Sequence, residues 1–172
     1  MVAPYPTNLS WMHIENLVNI LAYKLKGQKF DMVVGVARGG LIPAAMLASR
    51  LEIRRVRSFQ LASYSEEGNQ QPVRTLDSSL SIIQEIERLE YANVLYVEDI
   101  VDTGVSMSLV RSIFTLPKGY KSEATFASLV LKAHKAPRCD WPDVCGHMYT
   151  EPGWVKFPWE TFFEPASKEL SF

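Results

Sequence analysis

The stretch Val94–Met107, VLYVEDIVDTGVSM, decides how the whole chain is read. Val94–Val97 are apolar or aromatic and β-prone, which predicts a buried strand. Glu98 and Asp99 follow at its end, then two apolar residues, a third acid at Asp102, and Thr103-Gly104. A helix is expected to start at or just after Asp102-Thr103-Gly104, because short polar side chains accept hydrogen bonds from first-turn amides. Unpaired N–H groups at a helix start suit a phosphate. Paired carboxylates accept hydrogen bonds from sugar hydroxyls. Two acids on one side and an anion cradle on the other therefore suit a sugar phosphate.

Outward from this stretch, strand and helix patterns alternate over residues 31–132. Toward the N-terminus, Ile14, Leu17, Val18, Leu21 and Leu25 recur at the helical period behind Ser10, predicting a helix over 11–26 that Gly27 ends. Asp31–Ala37 reads as a buried strand, Arg38-Gly39-Gly40 as a turn, and Leu41–Leu51 as a helix with Pro43 in its tolerant first turn. Arg55–Ser63 alternates as a strand. Tyr64–Gln71, YSEEGNQQ, is the most polar stretch and reads as a mobile loop, with Val73–Leu76 as a return strand. Ser81–Glu90 has helical spacing. Beyond the central stretch come a helix to Leu116, a strand over Glu123–Lys132, a loop over Lys135–Asp143, and a strand over Val144–Thr150. The pattern predicts an α/β fold with a mainly parallel sheet and right-handed crossovers. Ligands of such sheets bind beyond the carboxyl ends of the strands. If strands 31–36, 94–97 and 124–131 are parallel neighbours, Arg38, Glu98, Asp99 and Lys132 meet at one rim.

Composition bounds the function classes. With 172 residues, the chain is expected to form one domain over 1–172, large enough for a proper core. A net charge of −1 gives no global attraction to nucleic acid or to an anionic membrane. No apolar run approaches a membrane span, and MVAPYPTNLS lacks the basic and apolar regions of a signal peptide. Cys139 and Cys145 are not a CxxC pair and read as free thiols of a reducing, cytoplasmic compartment. His13, His134 and His147 lack ligand spacing, and Trp11, Met12, Met46 and Trp141 read as packing residues.

The central stretch resembles the PRPP-binding signature of the type I phosphoribosyltransferases: a hydrophobic strand, two acids, then an acid-Thr-Gly turn. VARGGLIPA, with Arg38, resembles the pyrophosphate loop of the bacterial xanthine-guanine enzymes. Lys132 ends a strand where 6-oxopurine enzymes carry a base-reading lysine. GWVKFPWE resembles their base-stacking aromatic and terminal Pro-Trp-acid. The resemblance spans about residues 10–160 and points to xanthine-guanine or hypoxanthine-guanine phosphoribosyltransferases of purine salvage. It implies their fold: a mainly parallel sheet flanked by helices, a small hood from the N- and C-terminal segments, and a mobile loop.

The resemblance also implies roles. Glu98 and Asp99 would accept hydrogen bonds from the ribose hydroxyls of PRPP, with its Mg²⁺ close by. Asp102, Thr103, Gly104, Val105 and Ser106 would wrap the 5′-phosphate. Asp102 would also face N7 of the purine as general base or acid. Arg38 and Gly39 would receive pyrophosphate, with Arg74 reaching it on loop closure, and the peptide before the Arg-equivalent residue, here Ala37–Arg38, can be cis in these enzymes. Lys132 would donate to the purine 6-oxygen, with Lys135 as the alternative reader. Trp154 would stack on the base, with Trp159 as the alternative, and the Val155 main chain would read the 2-position. Glu160 stands where an aspartate that orders a metal through water is expected. Family members are commonly homodimers or tetramers. Two other functions stay open: transfer to another base, such as adenine or orotate, and a PRPP-binding regulator without catalysis. Regulators of that kind usually add a DNA-binding segment or a basic face, and neither is evident here.

Overall fold

The structure, a computed structural model, describes residues 6–64, 70–75, 80–89, 92–114 and 123–163. In chain order the elements are α1 (Trp11–Lys24), β1 (Met32–Ala37), α2 (Leu41–Arg50), β2 (Val56–Tyr64), β3 (Gln70–Thr75), α3 (Leu80–Arg88), β4 (Asn93–Val101), α4 (Val105–Phe114), β5 (Glu123–Lys132) and β6 (Val144–Tyr149). They build one sheet of order β3-β2-β1-β4-β5-β6. Five strands are parallel, and only β3 runs antiparallel, against β2. β1 and β4 lie in the middle, with Met32 opposite Val94 and Gly35 opposite Val97.

A parallel sheet is covered on both faces, so its inner strands read as continuous apolar runs. Two cores result. On one face, Leu17, Leu21 and Leu47 from α1 and α2 pack on Val33, Leu95 and Val97. On the other, Ile82, Ile86, Val110 and Phe114 from α3 and α4 pack on Val94, Tyr96 and Phe126. There Phe114 meets Phe59 edge-on at 4.9 Å between ring centroids, and Tyr96 stacks on Phe126 at 5.0 Å. Ser10 caps α1 in a reciprocal capping box with His13, and Gly27 adopts φ +89° just beyond its end.

The elements follow the sequence pattern with three informative differences. First, β4 does not stop at Val97: it runs through Glu98 and Asp99 to Val101. Its end stays in register with β5, Glu98 opposite Ser128 and Val101 opposite Leu131. Backbone pairing carries the strand past the point where its apolar character ends. Second, the return strand β3 starts at Gln70, three residues before Val73, and Tyr64 pairs with Gln70. Polar residues at a sheet edge pair as readily as apolar ones, since the ladder is made by backbone. Of the expected loop, 65–69 lie outside the described residues. Third, the loop over 135–143 contains a short 3₁₀ turn at Arg138–Asp140.

The N-terminal segment crosses to the C-terminal one. Asn8 and Lys156 form an isolated parallel bridge, with the Leu9 amide donating to the Lys156 carbonyl at 2.9 Å and the Lys156 amide donating to the Thr7 carbonyl at 2.8 Å. Both bonds are made by Lys156, the residue after Val155. Among the described residues, no helix is long and apolar enough to cross a membrane.

Candidate active site

Because β1, β4 and β5 are adjacent and parallel, their carboxyl ends open on one edge of the sheet. Arg38, Glu98 and Asp99 meet at that rim, while Lys132, at the end of β5, faces Asp102. A cavity of about 340 Å³ sits there, lined by Ala37, Arg38, Glu98, Asp99 and the whole run Asp102–Ser106. The Ala37–Arg38 peptide is cis, as the resemblance allows. Arg38 is exposed at the mouth of the cavity. Two glycines let this loop approach β4. A Cβ on Gly39 would lie 1.7 Å from the Asp99 carboxylate, and one on Gly40 2.3 Å from the Val97 carbonyl oxygen.

On the opposite side the cavity meets the first turn of α4. Gly104 holds φ +85° and accepts the Ser108 amide at 2.8 Å, which starts the helix. A helix's first amides have no acceptor within it, and here Val105 and Ser106 carry theirs on the cavity wall. Thr103 is exposed and Ser106 half-buried, so both hydroxyls are available to a ligand. The 3₁₀ turn backs this loop, with the Asp140 side chain against Gly104.

Glu98 and Asp99 do not project from one side. They occupy consecutive positions of a strand, whose side chains alternate. Glu98 follows the face of Val94 and Tyr96, and Asp99 the face of Leu95 and Val97, beside Gly39. Both still line the cavity. Glu98 is 5% exposed, and its Oε2 has no hydrogen-bond partner among the described residues. Burial, with the Asp99 charge beside it, pushes Glu98 up to about 8. Burial also raises Asp99, to about 6, against the Ile100 amide that donates to its Oδ1 at 2.9 Å; Glu160 adds to the rise.

Asp102 is held differently. Its Oδ1 lies 3.0 Å from Lys132 Nζ, and its Oδ2 accepts a hydrogen bond from Lys135 Nζ at 2.6 Å. Burial works to raise its carboxyl, but the two ammonium groups outweigh that and hold it below the usual range. Asp102 and Ile100 line both the large cavity and a second one of about 120 Å³, shared with Lys132, Trp154, Val155, Phe157 and Glu160. Trp154 is 76% exposed, and Lys132 Nζ stands over its ring, 5.5 Å from the centroid. Trp159 is committed elsewhere: it stacks on Phe157 at 4.7 Å and tilts against Trp11 at 5.9 Å. Glu160 accepts the Phe157 amide at 3.0 Å through Oε2. Arg74 lies in β3 opposite Ala62, but its side chain is outside the described residues.

Three contributors escape a reading by residue type. Ile100 and Phe157 wall the smaller cavity, and nothing in their apolar character announces it. Lys135 is read as a possible base contact, whereas here it grips Asp102. Among the described residues, no three His, Cys, Asp or Glu side chains gather closely enough to hold a metal alone. The orphaned Glu98 oxygen, with Asp99 beside it, fits a hydrated Mg²⁺ whose remaining ligands come from water or substrate.

Comparisons with known proteins agree with this geometry. The family model described as a phosphoribosyl transferase domain matches residues 9–162. A xanthine-guanine phosphoribosyltransferase of Gluconobacter oxydans (strain 621H) is 33% identical over 159 residues, covering 89% of this chain and 83% of its own. One from Chromohalobacter salexigens is 31% identical over 168 residues, covering 94% and 90%. Among solved structures, a purine phosphoribosyltransferase from Pyrococcus horikoshii Ot3 is 27% identical with a TM-score of 0.66, covering 88% of this chain and 92% of that one. A hypothetical protein from Neisseria gonorrhoeae with bound ppGpp is 25% identical with a TM-score of 0.72, covering 92% of each chain.

Proposed function

This chain belongs to the phosphoribosyltransferase family, and from that premise we propose that it transfers the 5-phosphoribosyl group of PRPP to N9 of guanine, xanthine or hypoxanthine, releasing pyrophosphate. The observation that carries this reading is the joining of two cavities at Asp102. One has carboxylates and a helix N-terminus for a sugar phosphate; the other has an open indole face and a lysine for a flat 6-oxo base.

In this reading the amides of Thr103–Ser106 and the Thr103 and Ser106 hydroxyls bind the 5′-phosphate. Glu98 and Asp99 accept the ribose 2′- and 3′-hydroxyls. Arg38 and the Gly39 main chain bind the pyrophosphate, with Arg74 of β3 joining them. Trp154 stacks on the purine, Lys132 donates to O6, and the Val155 main chain meets the 2-position. An ammonium has only donors, so Lys132 favours a 6-oxo over a 6-amino base. The ribose C1–pyrophosphate bond breaks largely before N9 attacks from the opposite face, so configuration inverts at C1. Asp102 takes the proton at N7 as the base is alkylated at N9. Arg38 and the main-chain amides stabilise the charge that builds on the leaving group. Glu98 and Asp99 would hold a hydrated Mg²⁺ brought by PRPP, which when bound would neutralise charge on the pyrophosphate. Glu160 would order a second metal through water.

A single domain over 1–172, a homo-oligomeric state and a cytoplasmic location complete the proposal; the free thiols Cys139 and Cys145 fit the last. A panel of bases with PRPP and Mg²⁺ tests it. Turnover of guanine, xanthine or hypoxanthine is expected. Turnover of adenine or orotate alone would overturn the base assignment, and PRPP binding without transfer to any base would favour a regulator.

A further inference from the structure

Asp102 carries two lysines, yet the proposed reaction employs only one. Lys132 is 7% exposed and stands between the Asp102 carboxylate, 3.0 Å away, and the Trp154 ring, 5.5 Å from its centroid. A base stacking on that indole occupies the space toward which Lys132 Nζ already points. If Lys132 donates to the 6-oxygen, its grip on Asp102 Oδ1 loosens at the moment Asp102 must hold its aim at N7. Lys135 is free of that conflict. Its side chain is 47% exposed, it approaches the other oxygen, Oδ2, at 2.6 Å, and it does not line the base cavity. Its backbone is anchored: the Lys135 and Ala136 amides both donate to the Lys132 carbonyl at 3.0 Å, which makes a tight turn directly after β5. The turn thus presents both ammonium groups to one carboxylate, one from the buried side and one from solvent.

We propose that Lys135 is a positioning residue for the transfer: it holds Asp102 in its working orientation while Lys132 is drawn to the base. The inference rests on the acid-base role given to Asp102 above. Lys135 touches no substrate. It keeps a counter-charge on Oδ2, so Asp102 stays ionised and correctly turned after Lys132 leaves Oδ1. The other charged groups lining the two cavities are Arg38, Glu98, Asp99 and Glu160, with Asp140 backing the adjoining Gly104; among the described residues only Lys132 and Lys135 form ion pairs with Asp102. The acids cannot replace Lys135, and Arg38 is taken up by the pyrophosphate in the proposed reaction. With Lys135 gone and Lys132 engaged by the base, Asp102 loses both ion-pair partners in a partly buried site, and the desolvation that opposes its ionisation is no longer offset by them.

The test compares Lys135→Met, Lys135→Arg, Asp102→Asn and the Lys135→Met/Asp102→Asn double variant in steady-state assays with hypoxanthine or guanine and Mg²⁺-PRPP across pH. Lys135→Met is expected to lower kcat/KM for the base by about 3- to 10-fold at neutral pH, the scale of a half-exposed charge-assisted contact. Its acid limb should move to higher pH, because Asp102 becomes easier to protonate. KM for PRPP should stay within about twofold, since Lys135 lines neither cavity and meets the phosphate cradle only through the Asp102 carboxylate. Lys135→Arg should restore the profile. In the Asp102→Asn background, Lys135→Met should cost nothing further, the non-additivity of residues acting through one group. An unmoved acid limb in Lys135→Met, or an equal loss in both backgrounds, overturns the positioning role while leaving Asp102's own role standing. Full turnover by Asp102→Asn overturns the role of Asp102 itself, and the inference with it.

Discussion

Two ends of one cleft hold carboxylates in opposite electrostatic states. At the proposed ribose end, Glu98 is buried and Asp99 half-buried, neither with an ion-pair partner among the described residues, and both are pushed up, to about 8 and about 6. At the proposed base end, only three residues on, Asp102 is gripped by Lys132 and Lys135 and held below the usual carboxylate range. In the proposed reaction, a Mg²⁺-bearing substrate would bring Glu98 and Asp99 their positive partner. Asp102 already has two and would lend one, Lys132, to the base. Environment, and not residue type, divides the labour, as in other sites where neighbouring acids are driven apart.

The largest break in this contrast comes from removing the cation-saturated acid. Asp102→Ala is expected to cut turnover by roughly 10²–10⁴-fold, the usual scale for a general acid or base. Stopped assays at saturating substrates check this; an unchanged kcat removes Asp102 from the chemistry. Next, Lys132→Ala should raise KM for the base by about 10- to 100-fold, as for loss of a hydrogen bond from a charged donor, and leave KM for PRPP nearly unchanged. Equal loss of both would make Lys132 a merely structural residue.

At the other end, Gly39→Ala sets a methyl group on the Asp99 carboxylate, since the Cβ position lies 1.7 Å from Oδ2. Asp99 or the loop must shift, with an expected loss of ~1–3 kcal/mol in denaturant unfolding, as for other overpacking, and weakened PRPP binding. The smallest effect concerns Glu98. Its folded value is raised above the unfolded one near 4.5, so the folded protein keeps this proton longer than the unfolded chain. Stability from this group is therefore greatest at acid pH and is lost as pH rises toward about 8. Glu98→Gln should flatten that decline, raising stability at pH 8 by ~1–2 kcal/mol relative to wild type, with little gain at pH 5. The same sign makes PRPP bind several-fold tighter at pH 8 than at pH 6, because the ligand favours the ionised acids. Calorimetric titration at the two pH values checks the direction.

The two ends also differ in how legible they are in the chain. The ribose and phosphate end is nearly contiguous: Glu98 to Ser106 supply its acids, its turn and its amides. Strand and helix periodicity over 31–132 likewise carries the parallel sheet, because each period reports a face that must be buried. The base end is scattered over Lys132, Trp154, Val155 and Glu160, joined by β5–β6 register and by the Asn8–Lys156 bridge. Residue type cannot tell the open Trp154 from the stacked Trp159, since both are tryptophans beside a proline or glycine. Nor does it reveal that β4 continues through its acids and sends them to opposite faces.

What the sequence determines by itself here is whatever a local rule governs. The apolar strand, the helix start at Gly104, the cradle for a phosphate and the α/β alternation all follow from short-range pattern and hydrogen-bonding need. The tertiary structure alone decides charge and contact across the rim. It pairs Asp102 with two lysines, one at the end of the next strand and one in the turn after it, leaves Glu98 Oε2 without a hydrogen-bond partner among the described residues, and lays Gly39 against Asp99. The physical reason is that ionisation and orientation depend on groups within a few ångströms in space. For this site those groups are brought together by parallel strands far apart in the chain.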